Sequence, residues 1–175
     1  MKHYYAFYVL AFTTIASCQS PEMIAPPEYE MKTLLHQKRW KVVSMLAERK
    51  SDGEILDWYA QLPACVKDNI FITEAPGTGA VGQLNGEEGN TVCQQNDLTY
   101  IPLIAGWKLN DQRTIFAVSL FASGHRMLYG YAMEESYADE NWILEELNEE
   151  FMQIRVDKVL EEENYTFALR FEVIR

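Results

Sequence analysis

The run Tyr165-Thr166-Phe167-Ala168-Leu169-Arg170-Phe171-Glu172-Val173 decides how the rest of the chain is read. Its residues Tyr165, Phe167, Leu169, Phe171 and Val173 fall at every second position, with Thr166, Ala168, Arg170 and Glu172 between them. Side chains alternate between the two faces of a strand but return every 3.6 residues on a helix, so this spacing predicts a half-buried strand. Just upstream, Met152, Ile154 and Val156 alternate with Gln153, Arg155 and Asp157 in the same way.

Working outward, further strands are expected at 40–49, 68–74, 78–84, 106–110, 113–121, 126–133 and 142–147. They are separated by turn-like links such as Asn110-Asp111, Ser123-Gly124 and Glu162-Glu163-Asn164. So many short strands predict an antiparallel meander, and closing it into a barrel removes its exposed edges. Two stretches depart from the period of two. In 54–62, Ile55, Leu56, Tyr59 and Leu62 have helical spacing ahead of Pro63, which predicts a short helix. In 140–160, Ile143, Leu147, Phe151 and Ile154 would share a helix face. The clean alternation from Met152 onward favours a hairpin turning at Asn148-Glu149-Glu150.

The first residues are of another kind. Met1-Lys2-His3 is a short positive start, and the twelve residues from Tyr4 to Ile15 are apolar apart from Thr13 and Thr14. A helix that short cannot cross ~30 Å of hydrocarbon, so a signal peptide is expected rather than a membrane span. Ile15-Ala16-Ser17-Cys18 resembles the bacterial lipobox, in which small side chains precede the cut and the cysteine carries the lipid. Two acyl chains give stable anchoring where one would be marginal. The expected organisation is a leader over 1–17, a lipidated extended tether over 18–32 containing Pro21, Pro26 and Pro27, and a folded domain over 33–175. Gln19 after the lipidated cysteine resembles the pattern sorted to the outer membrane, which places the domain in the bacterial cell envelope.

Export permits disulfides. With Cys18 taken by lipid, Cys65 and Cys93 remain; a bond between them is expected, with free thiols or a metal as alternatives. On the chain-entropy account such a loop is worth about 3.6 kcal/mol. The formal net charge is −11, and without residues 1–17 the chain holds 14 basic against 26 acidic residues. Such a surface repels phosphate backbones and no basic stripe relieves it, so nucleic acid is excluded as a partner.

Taken in order, Lys38-Arg39-Trp40-Lys41-Val42, Cys65-Val66-Lys67-Asp68-Asn69-Ile70-Phe71, Pro76-Gly77-Thr78-Gly79, Cys93, Gly106-Trp107-Lys108-Leu109 and Ile143 to Asn148 form a set. Over about residues 34–160 this set resembles the lipocalin-like domain of small bacterial lipoproteins. The resemblance implies an all-β, eight-stranded up-and-down antiparallel barrel with a short helix near its mouth, a bonded cysteine pair, and binding rather than catalysis.

Motifs of catalysis do not contradict that. There is no Gly-x-Ser-x-Gly elbow and no His-Glu-x-x-His helix, and Ser123-Gly124-His125 is too compact for a triad. Gly77-x-Gly79 and Gly86-x-x-Gly89 lack the strand-to-helix setting of a phosphate loop. Paired glutamates such as Glu145-Glu146 and Glu149-Glu150 point to opposite faces of a strand, so an acid and a base would have to come from different strands. The acidic stretch 85–90 has oxygens for calcium but not the ordered EF-hand spacing. The expectation is therefore no enzyme, no catalytic residue, no metal and no cofactor. Binding is assigned to aromatics: Trp40, Trp107, Tyr165, Phe167 and Phe171 lining the barrel, with Trp58 and Tyr59 on the short helix closing its mouth. The leading expectation is a small apolar or amphipathic ligand inside. The second is a solid-cored barrel that docks to another envelope protein through its outer face or the polar segment 85–102. An interior cavity above ~300 Å³ separates the two.

Overall fold

The computed structural model describes residues 28–74, 82–91, 93, 100–110, 114–130, 137–160 and 162–175. The leader, Cys18, the first part of the tether and the Pro76–Gly79 turn lie outside the described residues.

The alternating run forms β9 (Glu163–Val173), with Phe167, Leu169 and Phe171 buried. It pairs on one side with β8 (Phe151–Leu160) and on the other with β1 (Lys38–Arg49), and that second pairing closes the sheet. In β1 the inward set changes phase, from Trp40 and Val42 to Met45 and Ala47. A bulge between Val42 and Ser44 supplies the extra residue that lets both sets face inward. The remaining staves are β3 (Ile70–Glu74), β4 (Gly82–Glu87), β5 (Tyr100–Leu109), β6 (Ile115–Phe121) and β7 (Tyr137–Leu147). With β1, β8 and β9 they make a closed, eight-stranded, antiparallel up-and-down barrel, as expected. A ninth strand, β2 (Ile55–Asp57), pairs only with the second half of β1.

The 140–160 stretch is a hairpin. Asn148 turns it, its Oδ1 accepting the backbone N–H groups of Glu150 and Phe151 at 2.9 Å each. The short helix is also present, but it starts later than 54. Residues 55–57 have joined β1 as a strand, and the single-turn α2 (Trp58–Gln61) begins where Asp57 caps Ala60 N–H. A second turn, α3 (Ala64–Lys67), then takes residues up to the start of β3.

Three expectations are corrected. The pattern predicts a strand over 126–133 and a turn at Ser123-Gly124; instead the helix α4 (Ala122–Tyr129) takes that turn and residues 126–129, while 131–133 lie outside the described residues. Met127, Leu128 and Tyr129 are a continuous apolar run, which period alone cannot assign. The burial of Gly124 and His125 one turn earlier completes a helical face. Gly130 ends the helix in the left-handed conformation, φ +81°, where a Cβ would also strike Leu62. Secondly, residues 28–32 are not extended but open α1 (Glu28–Leu35), whose Met31 and Leu35 are fully buried one turn apart. Thirdly, the polar segment 85–102 is shorter than expected, because 85–87 continue β4 and 100–102 begin β5. Where these two strands fall out of register, Leu103 takes a left-handed φ of +52° and its N–H is held by Asn85 Oδ1 at 2.7 Å.

Candidate functional site

The barrel interior divides into two halves. At the end where β1 begins, α1 lies against the barrel. Thr73 donates its hydroxyl to the Leu35 carbonyl and accepts the Trp40 indole N–H at 2.9 Å. Behind that contact lies a cavity of about 30 Å³, walled by Leu35, Trp40, Phe71, Trp107, Trp142 and Phe171 among others. Rings meet edge to face around it, Trp107 on Phe116 at 5.4 Å and Phe71 on Phe171 at 6.0 Å. That volume holds a water at most, and so apolar a lining leaves it dry.

At the other end α4 lies across the barrel, and beneath it charge is buried. Lys158 on β8 and Glu140 on β7 are ion-paired at 2.6 Å with side chains only 8% and 5% exposed. Glu140 Oε2 also accepts the Tyr129 hydroxyl at 2.9 Å and the Trp142 indole N–H at 2.7 Å. Lys158 Nζ lies 2.9 Å from His125 Nε2 and 3.8 Å from the centre of the Tyr129 ring. Burial pulls the Lys158 ammonium below the usual lysine range, against the opposing attraction of Glu140. Chemically this is a carboxylate receptor: an ammonium, a phenol and an indole all donate to one carboxylate. Its occupant is the chain's own Glu140, so the cradle is already filled.

The aromatics assigned to binding do not form one pocket. Trp40, Trp107 and Phe171 wall the dry cavity. Phe167 belongs to the other half, meeting Trp58 edge to face at 5.3 Å and Tyr129 at 5.8 Å. Trp58 donates its N–H to the Tyr129 carbonyl at 3.4 Å, so it is held against α4 at that end. Tyr59 and Tyr165 are half-buried at the edge: Lys67 lies 5.4 Å above the Tyr59 ring, and Tyr165 accepts from Arg49 at 3.5 Å. Burial raises the Tyr59 phenol. Cys65 and Cys93 are bonded, with Cα atoms 5.2 Å apart.

The sequence reading does not single out Glu140, Lys158 or Tyr129, and treats His125 only as part of a failed triad. A signal exists, since Lys158 continues the inward series Met152, Ile154, Val156 and Glu140 shares the phase of Trp142.

Comparison with known proteins gives no matching family model, no matching curated protein and no matching solved structure.

Proposed function

We propose that this chain is an exported, lipid-anchored barrel of the lipocalin-like kind that acts as a docking module for another envelope protein, working through its outside rather than its inside. One observation carries the reading: the cavity that the described residues enclose inside the barrel is about 30 Å³, where a resident small molecule needs roughly 300 Å³ or more. The self-occupied cradle around Glu140 adds to it, since an acidic ligand would have to displace a covalently attached competitor. A resident apolar ligand would require α1 or α4 to lift.

The docking face is best sought on the outer surface near α4. Phe121 and Tyr137 are paired across β6 and β7, and Leu103 lies on β5 just past its last pair with β6; all three are exposed. Exposed apolar side chains grouped in this way mark interaction sites. Anchoring through Cys18 suits this barrel, whose inward residues are mostly apolar apart from the Lys158–Glu140 pair, while the outward residues of β7 include Asp139, Asn141 and Glu146. That is the reverse of a barrel that sits in lipid.

Tryptophan fluorescence tests the interior directly, because Trp40, Trp107 and Trp142 wall the cavity. Titration with fatty acids, haem and glycans is expected to leave the emission unchanged. A saturable shift with any of them would replace the docking reading by a ligand-binding one. Cys18→Ser is expected to release the protein from the membrane fraction, and its retention there would remove the anchor.

A further inference from the structure

Where the disulfide joins the segment before β3 to the segment after β4, three oxygens have no hydrogen-bond partner among the described residues. They are Asp68 Oδ1, Asn69 Oδ1 and Glu88 Oε2, all buried. Glu88 is 7% exposed and Asn69 2%. The β3–β4 ladder ends with Ile70 opposite Glu87, so Asn69 and Glu88 are the residues that flank its last pair. Asp68 adjoins them from the side of Gly89: a Cβ built on Gly89 would fall 2.4 Å from the Asp68 carboxyl carbon and 2.4 Å from its carbonyl oxygen. Only glycine permits that approach.

These three acceptors have no donor among them. The Asn69 amide cannot turn to provide one, because its Nδ2 already donates to the Met127 carbonyl at 3.1 Å. The Thr91 N–H is spent on the other Asp68 oxygen, Oδ2, at 2.9 Å. The nearby cations are committed elsewhere. Lys67 donates to the Ala60 carbonyl at 2.9 Å, and Arg39 holds Glu87 through both guanidinium nitrogens. A carboxylate oxygen buried without a donor or cation of its own is unfavourable.

We propose that Asp68, Asn69 and Glu88 form a binding site for a hard divalent cation, calcium, beside the Cys65–Cys93 disulfide. The donors are two carboxylates and an amide carbonyl, all oxygen, a set that suits calcium better than zinc or copper, whose sites are built mainly on nitrogen and sulfur. Among the described residues no three His, Cys, Asp or Glu side chains gather, so the set depends on Asn69. The rest of the coordination falls to backbone carbonyls and water. The inference is independent of the docking reading and differs from the sequence expectation of no metal.

The test is a thermal melt of the purified full-length protein after EDTA treatment, at constant ionic strength. For a modest extracellular site, about 10 mM calcium lies roughly a hundredfold above Kd, and the melting temperature is expected to rise by about 5–10 °C. Magnesium, which demands tighter geometry, is expected to do less. Glu88→Gln is expected to abolish the calcium shift while melting in EDTA no lower than the parent, since it removes an unpaired buried charge. Equal melting in calcium and EDTA would overturn the site. So would a Glu88→Gln variant that keeps the shift, or one that melts well below the parent in EDTA. Calorimetric titration of the unmodified protein answers the same question without a variant: one calcium per chain supports the site, and absence of heat at all concentrations removes it.

Discussion

The two ends of this barrel are closed by different physics. At the α1 end the plug is apolar: Met31 and Leu35 are fully buried, Leu35 shares the cavity wall with Trp40, Phe71 and Phe171, and the one polar device, Thr73, is used twice. At the α4 end the plug rests on an ion pair, with Tyr129 and His125 packed against Lys158 and Glu140. Apolar packing tolerates small errors of fit and loses stability in proportion to the atoms removed. A buried ion pair does not degrade so gently, because removing one partner strands the other. One end therefore fails by degrees and the other at once.

The largest expected effect follows from that contrast. Glu140→Leu leaves the Lys158 cation unpaired, which costs about 3–5 kcal/mol. It also takes the acceptor from the Tyr129 hydroxyl and the Trp142 N–H, a further 1–3 kcal/mol or so each. Against a total stability of about 5–15 kcal/mol the protein is expected to unfold or nearly so. The double variant Glu140→Gln with Lys158→Met keeps an acceptor for both donors and removes both charges, so it should regain most of the loss. Urea denaturation of the pair measures the difference. If the double variant is as unstable as Glu140→Leu, the ion pair is not what makes this end brittle.

At the dry end Phe171→Ala is expected to cost about 3–5 kcal/mol and still leave a folded barrel. It enlarges the existing cavity of about 30 Å³ rather than stranding a charge. A small apolar molecule such as benzene should then bind and restore part of the melting temperature, as it does in dry engineered cavities. No rescue by benzene would mean that the wall collapses into the space, and that this end yields more readily than its ring packing suggests.

The same contrast explains what the sequence could and could not disclose. The apolar half is legible because every inward residue of β6, β8 and β9 below the network is hydrophobic, and alternation shows them directly. The α4 end is not. Lys158 and Glu140 occupy inward positions, so they break the pattern by which inward positions are recognised. Met127-Leu128-Tyr129 reads as a strand because a continuous apolar run has no period; it is the cross-barrel contact of Tyr129 with Glu140 that gives the helix its place. The spacing of Ile55, Leu56, Tyr59 and Leu62 sets Trp58 on a short helix, but it gives no sign of its partner, the Tyr129 carbonyl. The cysteine pair needs only counting.

The smallest effect separates the two ends by pH. Lys158 is pulled down chiefly by burial, so on folding it gives up its proton more readily than the unfolded chain, whose lysine holds on to the ordinary value of 10.5. Between the folded value and 10.5 the unfolded state binds more protons, so stability rises with pH across that window, by at most about 1.4 kcal/mol per unit. Tyr59, raised by burial, acts in the opposite sense, since folding favours its protonated form, but only once pH passes its ordinary value of 10.0. Below pH 10.0, of these two groups only the lysine contributes. No ionisable side chain is among those walling the dry cavity, so between the two ends it is the α4 end that can supply such a rise. Denaturation at a series of pH values rising toward 10.0 is expected to show the rise in the parent and not in the Glu140→Gln, Lys158→Met double variant. Equal slopes would mean that Lys158 titrates like a surface lysine, and that the α4 end opens far enough in solution to wet its ion pair.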